Sequence, residues 1–259
     1  MNIMTSAILG VVEGITEFLP ISSTGHLILT SHLLRLQQTE FLKSFEIAIQ
    51  LGAILSVMVL YGKRFLTDLN VLKRVIAAFI PTAIIGLALY KVIKQIFFGS
   101  TAIVLWSLLL GGVFLIVFEL LYREKKDAVD DIASISYPQA LVIGLFQSIA
   151  VIPGVSRAAA TIIGGLILGL KRKTIVEFSF LLAVPTMGAA VALDLVKSAG
   201  AFTGSDFLFL AVGFFVSFIV ALIAIKFLLE FIKHNNFIPF GIYRIILALC
   251  FLLFGAGRL

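Results

Sequence analysis

Two carboxylates, Glu13 and Glu17, stand four residues apart, and the next nine positions add Pro20, Ser22, Ser23, Thr24, Gly25 and His26. A second polar string, Pro153-Gly154-Val155-Ser156-Arg157 with Thr161 four residues on, lies in the other half of the chain. These residue types suit the handling of a phosphate. Ser22 and Ser156 are each placed to cap a following short helix, Ser22 before Ser23-Thr24-Gly25-His26 and Ser156 before Arg157-Ala158-Ala159-Ala160-Thr161. Free backbone N–H groups at a helix start form an anion site, and the guanidinium of Arg157 adds bidentate recognition. Thr24, Gly25 and Gly154 belong to the same two turns; Thr161 either joins the phosphate contacts or bonds its own helix. Glu13 and Glu17 share one helix face and would repel a phosphate. A divalent cation bridging them, Mg²⁺ or Ca²⁺, resolves the conflict, as does a proton on one of them. For the attacking group the sequence leaves three choices in order: Ser23, an activated water, and His26.

All this chemistry is set in hydrocarbon. Mean hydropathy is +1.15, hydrophobic residues make up 61% of the 259 and charged residues 13%, about half the charged share of a soluble domain. The chain is read as multi-spanning, and an ionisable group inside such a protein is costly and by default functional. The formal charge of +6 sits in short clusters between apolar runs, so a nucleic-acid partner is not expected; membrane lipids are. The lone Cys250 excludes a disulfide framework and reads as packing. The apolar stretch at the start carries Glu13 and Glu17 and no basic leader, unlike a cleaved signal.

Clean spans of bilayer length fall at 45–61, 75–93, 101–121, 178–196, 206–228 and 240–257. Two further apolar stretches, 3–34 and 138–170, are broken in the middle, at Leu19-Pro20-Ile21-Ser22-Ser23 and Ile152-Pro153-Gly154-Val155-Ser156-Arg157. Each half is too short to cross, so both read as re-entrant pairs whose breaks line a cavity. The broken stretches repeat at an offset of 134 residues, and each is followed by three crossings. An odd number of crossings inverts the second copy. The expected fold is all-α integral membrane: an inverted-topology repeat of six transmembrane helices plus two re-entrant helix pairs, with 1–259 as one membrane domain, 1–125 as the first half and 138–259 as the second. With both ends outside, the inner loops carry twelve Lys and Arg against six on the other side.

The copies differ where chemistry would be. Glu13 is answered by Gln147, Glu17 by Val151, Ser23 by Arg157 and His26 by Ala160. One half brings carboxylates and imidazole, the other guanidinium. Bland readings stand beside these: Glu13 or Glu17 pairing with Arg157 only to hold the halves together, and His26 as a satisfied core histidine. Glu46 reads as a supporting charge, and Glu119, Asp194, His32 and His234 as interfacial residues near span ends.

These motifs carry a resemblance. Glu13-x-x-x-Glu17, Pro20 to His26, Pro153 to Arg157 with Thr161, and Phe45-Glu46-Ile47-Ala48-Ile49-Gln50-Leu51-Gly52, in that order over essentially the whole chain, resemble the bacterial undecaprenyl-diphosphate phosphatases, the integral membrane enzymes of bacitracin resistance. One departure is that Ala158 and Ala159 follow the motif arginine where members usually carry Ser-Gly, so a supporting hydroxyl contact is missing. The resemblance implies hydrolysis of a polyprenyl diphosphate to its monophosphate and inorganic phosphate, recycling the carrier for cell-wall synthesis. It also implies a bacterial plasma membrane location with the site towards the outer side; a homodimer stays open. Two rivals are weaker. A transporter or scramblase has no evident use for two carboxylates beside Ser23 and His26. The type 2 phosphatidic acid phosphatases need a second histidine soon after the arginine, and none follows Arg157 before His234.

Overall fold

The computed structural model describes residues 1–37, 39–89, 100–198 and 206–254. In this frame the first broken stretch is α1 (Ile3–Thr16) and α2 (Ser23–Leu33), followed by α3 (Glu40–Ala48), α4 (Gln50–Thr67), α5 (Leu69–Ala88) and α6 (Thr101–Leu121). The second is α7 (Tyr137–Ser148) and α8 (Arg157–Ile167), followed by α9 (Arg172–Ser198), α10 (Asp206–Phe231) and α11 (Ile238–Phe254). At 14, 11, 12 and 11 residues, α1, α2, α7 and α8 span about 17–21 Å, against a hydrocarbon core of about 30 Å.

Among the described residues, five helical segments are long and apolar enough to cross: Glu40–Thr67, Leu69–Ala88, Thr101–Leu121, Arg172–Asp194 and Asp206–Phe231. The sequence leads one to expect six. The sixth falls on α11, whose 17 described residues are at the lower limit for a crossing; positions 255–257 of that expected span, like 90–93 of the second, lie outside the described residues. The first crossing is longer than expected because α3 runs into α4 through a single non-helical turn at Ile49.

Helix pairing repeats between the halves. α1 packs on α10 as α7 packs on α5, α1 on α2 as α7 on α8, and α4 on α10 as α5 on α9; α6 pairs with α11, and α4 with α9. Small residues permit these approaches, since lipid provides no hydrophobic drive between helices and backbone proximity must. A Cβ on Gly10 would lie 2.7 Å from the Gly213 carbonyl oxygen, and one on Gly144 would lie 2.0 Å from that of Ala78. These are equivalent contacts in the two copies.

At the loop end Glu119 is buried rather than interfacial. It pairs with Arg172 through both oxygens and accepts from the Phe237 N–H at 3.2 Å, fastening the ends of α6, α9 and α11. The linker between halves is also held down: Asp130 accepts from Lys171 at 3.0 Å, Asp131 pairs with Arg64, and the Lys171 ammonium keeps the Asp130 carboxyl below its usual range. Cys250 is exposed on α11 rather than packed.

Candidate active site where two broken helices meet

The two breaks are built alike. Ser22 has φ 73° and Ser156 has φ 69°, left-handed values that cost a non-glycine residue about 1–3 kcal/mol. Both occupy the N-cap of a short helix, and each hydroxyl accepts a backbone N–H three residues on, Gly25 at 3.3 Å and Ala159 at 3.2 Å. The expected caps are therefore present. Gly154, φ +92°, is required where it stands: a Cβ would meet the Val104 carbonyl oxygen and the Ser107 Cβ at 2.8 Å.

From these caps the reactive side chains converge. The Ser23 hydroxyl donates to Glu17 Oε2, while Glu17 Oε1 accepts from Arg157 Nε at 3.3 Å and Nη2 at 3.2 Å. Arg157 Nη1 donates to the Ser179 carbonyl at 2.8 Å and lies 3.4 Å from its hydroxyl. The Glu17 and Arg157 side chains are only 5% and 11% exposed. In so dry a place, leaving either charge without the other costs about 3–5 kcal/mol. Glu17 is thus the link between the serine of one half and the guanidinium of the other. A cavity of about 110 Å³ opens over this chain of contacts, lined by Glu17, Ser22, Ser23, Thr24, Gly154, Ser156 and Arg157, and by Gln50 and Met187.

Four expected site residues do not line it: Glu13, Gly25, His26 and Thr161. Gly25 supplies the N–H that Ser22 caps. Thr161 donates to the Arg157 carbonyl of its own helix at 2.9 Å. His26 Nδ1 lies 2.7 Å from the Ser22 carbonyl, which only accepts, so this nitrogen carries hydrogen; Nε2 lies 2.8 Å from the Tyr243 hydroxyl, and the two rings stack 5.5 Å apart. Both ring nitrogens are engaged and neither faces Ser23, whose partner is Glu17.

Glu13 is fully buried and no donor reaches either carboxylate oxygen; its close polar neighbour is the Glu17 carboxyl. The charges of Glu17, Glu46 and Arg157 act on it, and Glu46 is itself held by Ser31 at 2.6 Å. A buried carboxylate without a partner is unsustainable unless it holds a proton or a cation. Among the described residues no three His, Cys, Asp or Glu cluster as a ready metal cage. A hard cation that takes most of its ligands from phosphate and water does fit two carboxylates, one of them orphaned.

Sequence reasoning missed four contributors. Gln50, the first residue of α4, lines the cavity; its signal was the Phe45–Gly52 stretch. Ser179 and Tyr243 gave none. Arg244, a lone cation in the last apolar run, was legible by that fact alone. It is 1% exposed and donates to the carbonyls of Pro20, Ser107, Leu108, Gly154 and Val155. Ala158 and Ala159, the departures after Arg157, are buried, and Arg157 keeps Glu17 and Ser179 without them.

The comparisons with known proteins agree with this geometry. Residues 6–250 match the family model described as Bacitracin resistance protein BacA. The chain is 55% identical over 253 residues to an undecaprenyl-diphosphatase of Sulfurihydrogenibium sp. (strain YO3AOP1), covering 98% of this chain and 99% of that protein. It is 54% identical over 249 residues to the undecaprenyl-diphosphatase of Aquifex aeolicus (strain VF5), covering 96% and 97%. With that of Wolinella succinogenes it shares 50% over 254 residues, covering 98% of each. A family match of this extent and relatives of this identity, over a site assembled from both halves, leave one assignment: the chain belongs to the BacA family of bacitracin resistance proteins.

Proposed function

We propose that the chain acts on undecaprenyl diphosphate, releasing inorganic phosphate and leaving the monophosphate carrier, with Ser23 as nucleophile and Glu17 as its base. The observation that carries this is the contact chain Ser23–Glu17–Arg157 under the cavity. The serine oxygen attacks the terminal phosphorus as its proton passes to Glu17 Oε2. The bond from that phosphorus to the bridging oxygen breaks, and the lipid monophosphate leaves with the bridging oxygen. Water then cleaves the phosphoserine, and inorganic phosphate departs. Phosphoryl transfer demands mainly positioning and charge neutralisation. Arg157 and the N–H groups at the starts of α2 and α8 provide these from opposite sides.

Glu13 and Glu17 would hold a Mg²⁺ or Ca²⁺ ion, which would supply the charge neutralisation that lets a diphosphate approach two carboxylates. His26 keeps the Ser22 carbonyl in place, with its ring braced on Tyr243.

The finer architecture belongs to the same reading. We take α11 as the sixth crossing because it pairs with α6, its counterpart in the other half, and α1–α2 and α7–α8 as the re-entrant pairs, each too short to span. The halves then run 1–125 and 138–259 in opposite senses. The inner loops carry the excess of Lys and Arg, which turns the cavity towards the outer face of the bacterial plasma membrane.

The test is phosphate release from undecaprenyl diphosphate in detergent, for wild type, Glu17→Gln, Ser23→Ala and Arg157→Ala, with and without EDTA. Release by wild type that is lost in all three variants and in EDTA supports the whole reading. Release that survives EDTA removes the cation and leaves Glu17 as base; release by Ser23→Ala at the wild-type rate removes the serine.

A further inference from the structure

The residue that sets the two breaks in register with each other lies in neither of them. Arg244 on α11 is among the largest fully buried side chains, and its five donor contacts all go to backbone carbonyls. Nη1 reaches Pro20 and Val155, both at 3.3 Å; Nη2 reaches Gly154 and Ser107, both at 2.9 Å; Nε reaches Leu108 at 3.3 Å. Pro20 lies two residues before the strained cap Ser22, and Gly154 and Val155 lie immediately before the strained cap Ser156. One planar group therefore bonds the approach to both helix starts that face the cavity.

Room has been made for it. A Cβ on Gly111 would lie 2.2 Å from Arg244 Nη2, so this turn of α6 admits the guanidinium only because it carries glycine. The neighbouring residue on α11, Tyr243, bonds His26, so consecutive positions of one helix brace both α2 and the two turns. Only arginine offers five donors in one rigid plane. Its charge, moreover, meets carbonyls and is paired with no carboxylate among the described residues.

We propose that Arg244 is a positioning residue for phosphoryl transfer: it fixes the starts of α2 and α8 relative to each other and places a fixed positive charge behind the phosphate they hold. This rests on the phosphatase reading above. Two predictions separate it from a merely structural role. Arg244→Met lowers kcat at least a hundredfold with KM within a fewfold, and it loses the rise in melting temperature that orthovanadate gives wild type. Arg244→Lys keeps the charge but not the fork; it retains part of the vanadate shift while kcat falls about tenfold. Gly111→Ala keeps the arginine but displaces its guanidinium, lowering kcat about tenfold and the melting temperature with it; it decides the matter if Arg244→Met does not fold. A folded Arg244→Met that keeps the full vanadate shift overturns the proposal, whatever its kcat, and so does Gly111→Ala with wild-type turnover. Wild type that neither releases phosphate nor responds to vanadate rejects the phosphatase reading itself.

Discussion

Glu13 and Gln147 hold equivalent places in the two halves, yet one is abandoned and the other is fully provided for. Gln147 donates to Thr82 at 2.9 Å and Thr186 at 3.1 Å, and its carbonyl faces Thr161 at 3.4 Å. Glu13 meets no donor and has only the Glu17 carboxyl beside it, and Ser217, which stands on α10 where α5 carries Thr82, has an unpaired buried hydroxyl as well. A neutral amide ringed by threonines is a finished structural joint. A carboxylate with two bare oxygens is not, and buried polar groups are so regularly satisfied that such an exception needs a reason. The same division runs through the rest of the repeat: the first half holds Ser23, Glu17 and His26, and the second holds Arg157 opposite Ser23 and Ala160 opposite His26. The two breaks are built alike, but the serine, carboxylate and imidazole lie at one and the guanidinium at the other.

Breaking the comparison at its centre has the largest effect. Glu17→Ala removes both the acceptor for Ser23 and the counter-ion of Arg157, so phosphate release falls by at least about a thousandfold and the melting temperature drops as well. Glu13→Gln makes the first half resemble the second. The account expects activity to fall about a hundredfold while thermal stability stays level or rises, because an orphaned buried carboxylate is replaced by a neutral amide; the two readings come from phosphate release and a melting curve on one preparation. The reciprocal Gln147→Glu is expected to lower stability, by about 1–3 kcal/mol, with a smaller loss of turnover. Tyr243→Phe removes one brace from His26 and should cost a fewfold in kcat, about what one neutral hydrogen bond is worth. Smallest of all is Ala158→Ser, which places the residue usual in the family at a buried position. Turnover is expected to change less than about twofold, since Arg157 already has its partners.

Much of this was legible beforehand because it followed from length and breakage. Proline and serine in the middle of an apolar stretch identified α1–α2 and α7–α8, and the caps at Ser22 and Ser156 fell where the motif spacing put them. The expected sixth span falls on α11, whose described part is 17 residues long, at the lower limit for a crossing. Pairings across the fold were beyond reach. Ser23 and His26 are three residues apart, yet the serine turns to Glu17 six residues back and the imidazole reaches Tyr243, 217 residues away. Glu119 lies near the end of a span and reads as interfacial in the sequence, whereas Arg172 and the Phe237 amide enclose it.

The central claim is that a serine from one half, activated by a carboxylate bound to the guanidinium of the other, takes up the phosphoryl group. A single-turnover reaction with undecaprenyl diphosphate labelled in its terminal phosphate, quenched in acid and followed by mass mapping of the labelled peptide, tests this most directly. The account predicts a transient phosphoserine at Ser23 in wild type and none in Ser23→Ala or Glu17→Ala. Wild-type turnover with no label on the protein, together with direct incorporation of solvent oxygen in a Ser23→Ala variant that still releases phosphate, would contradict it.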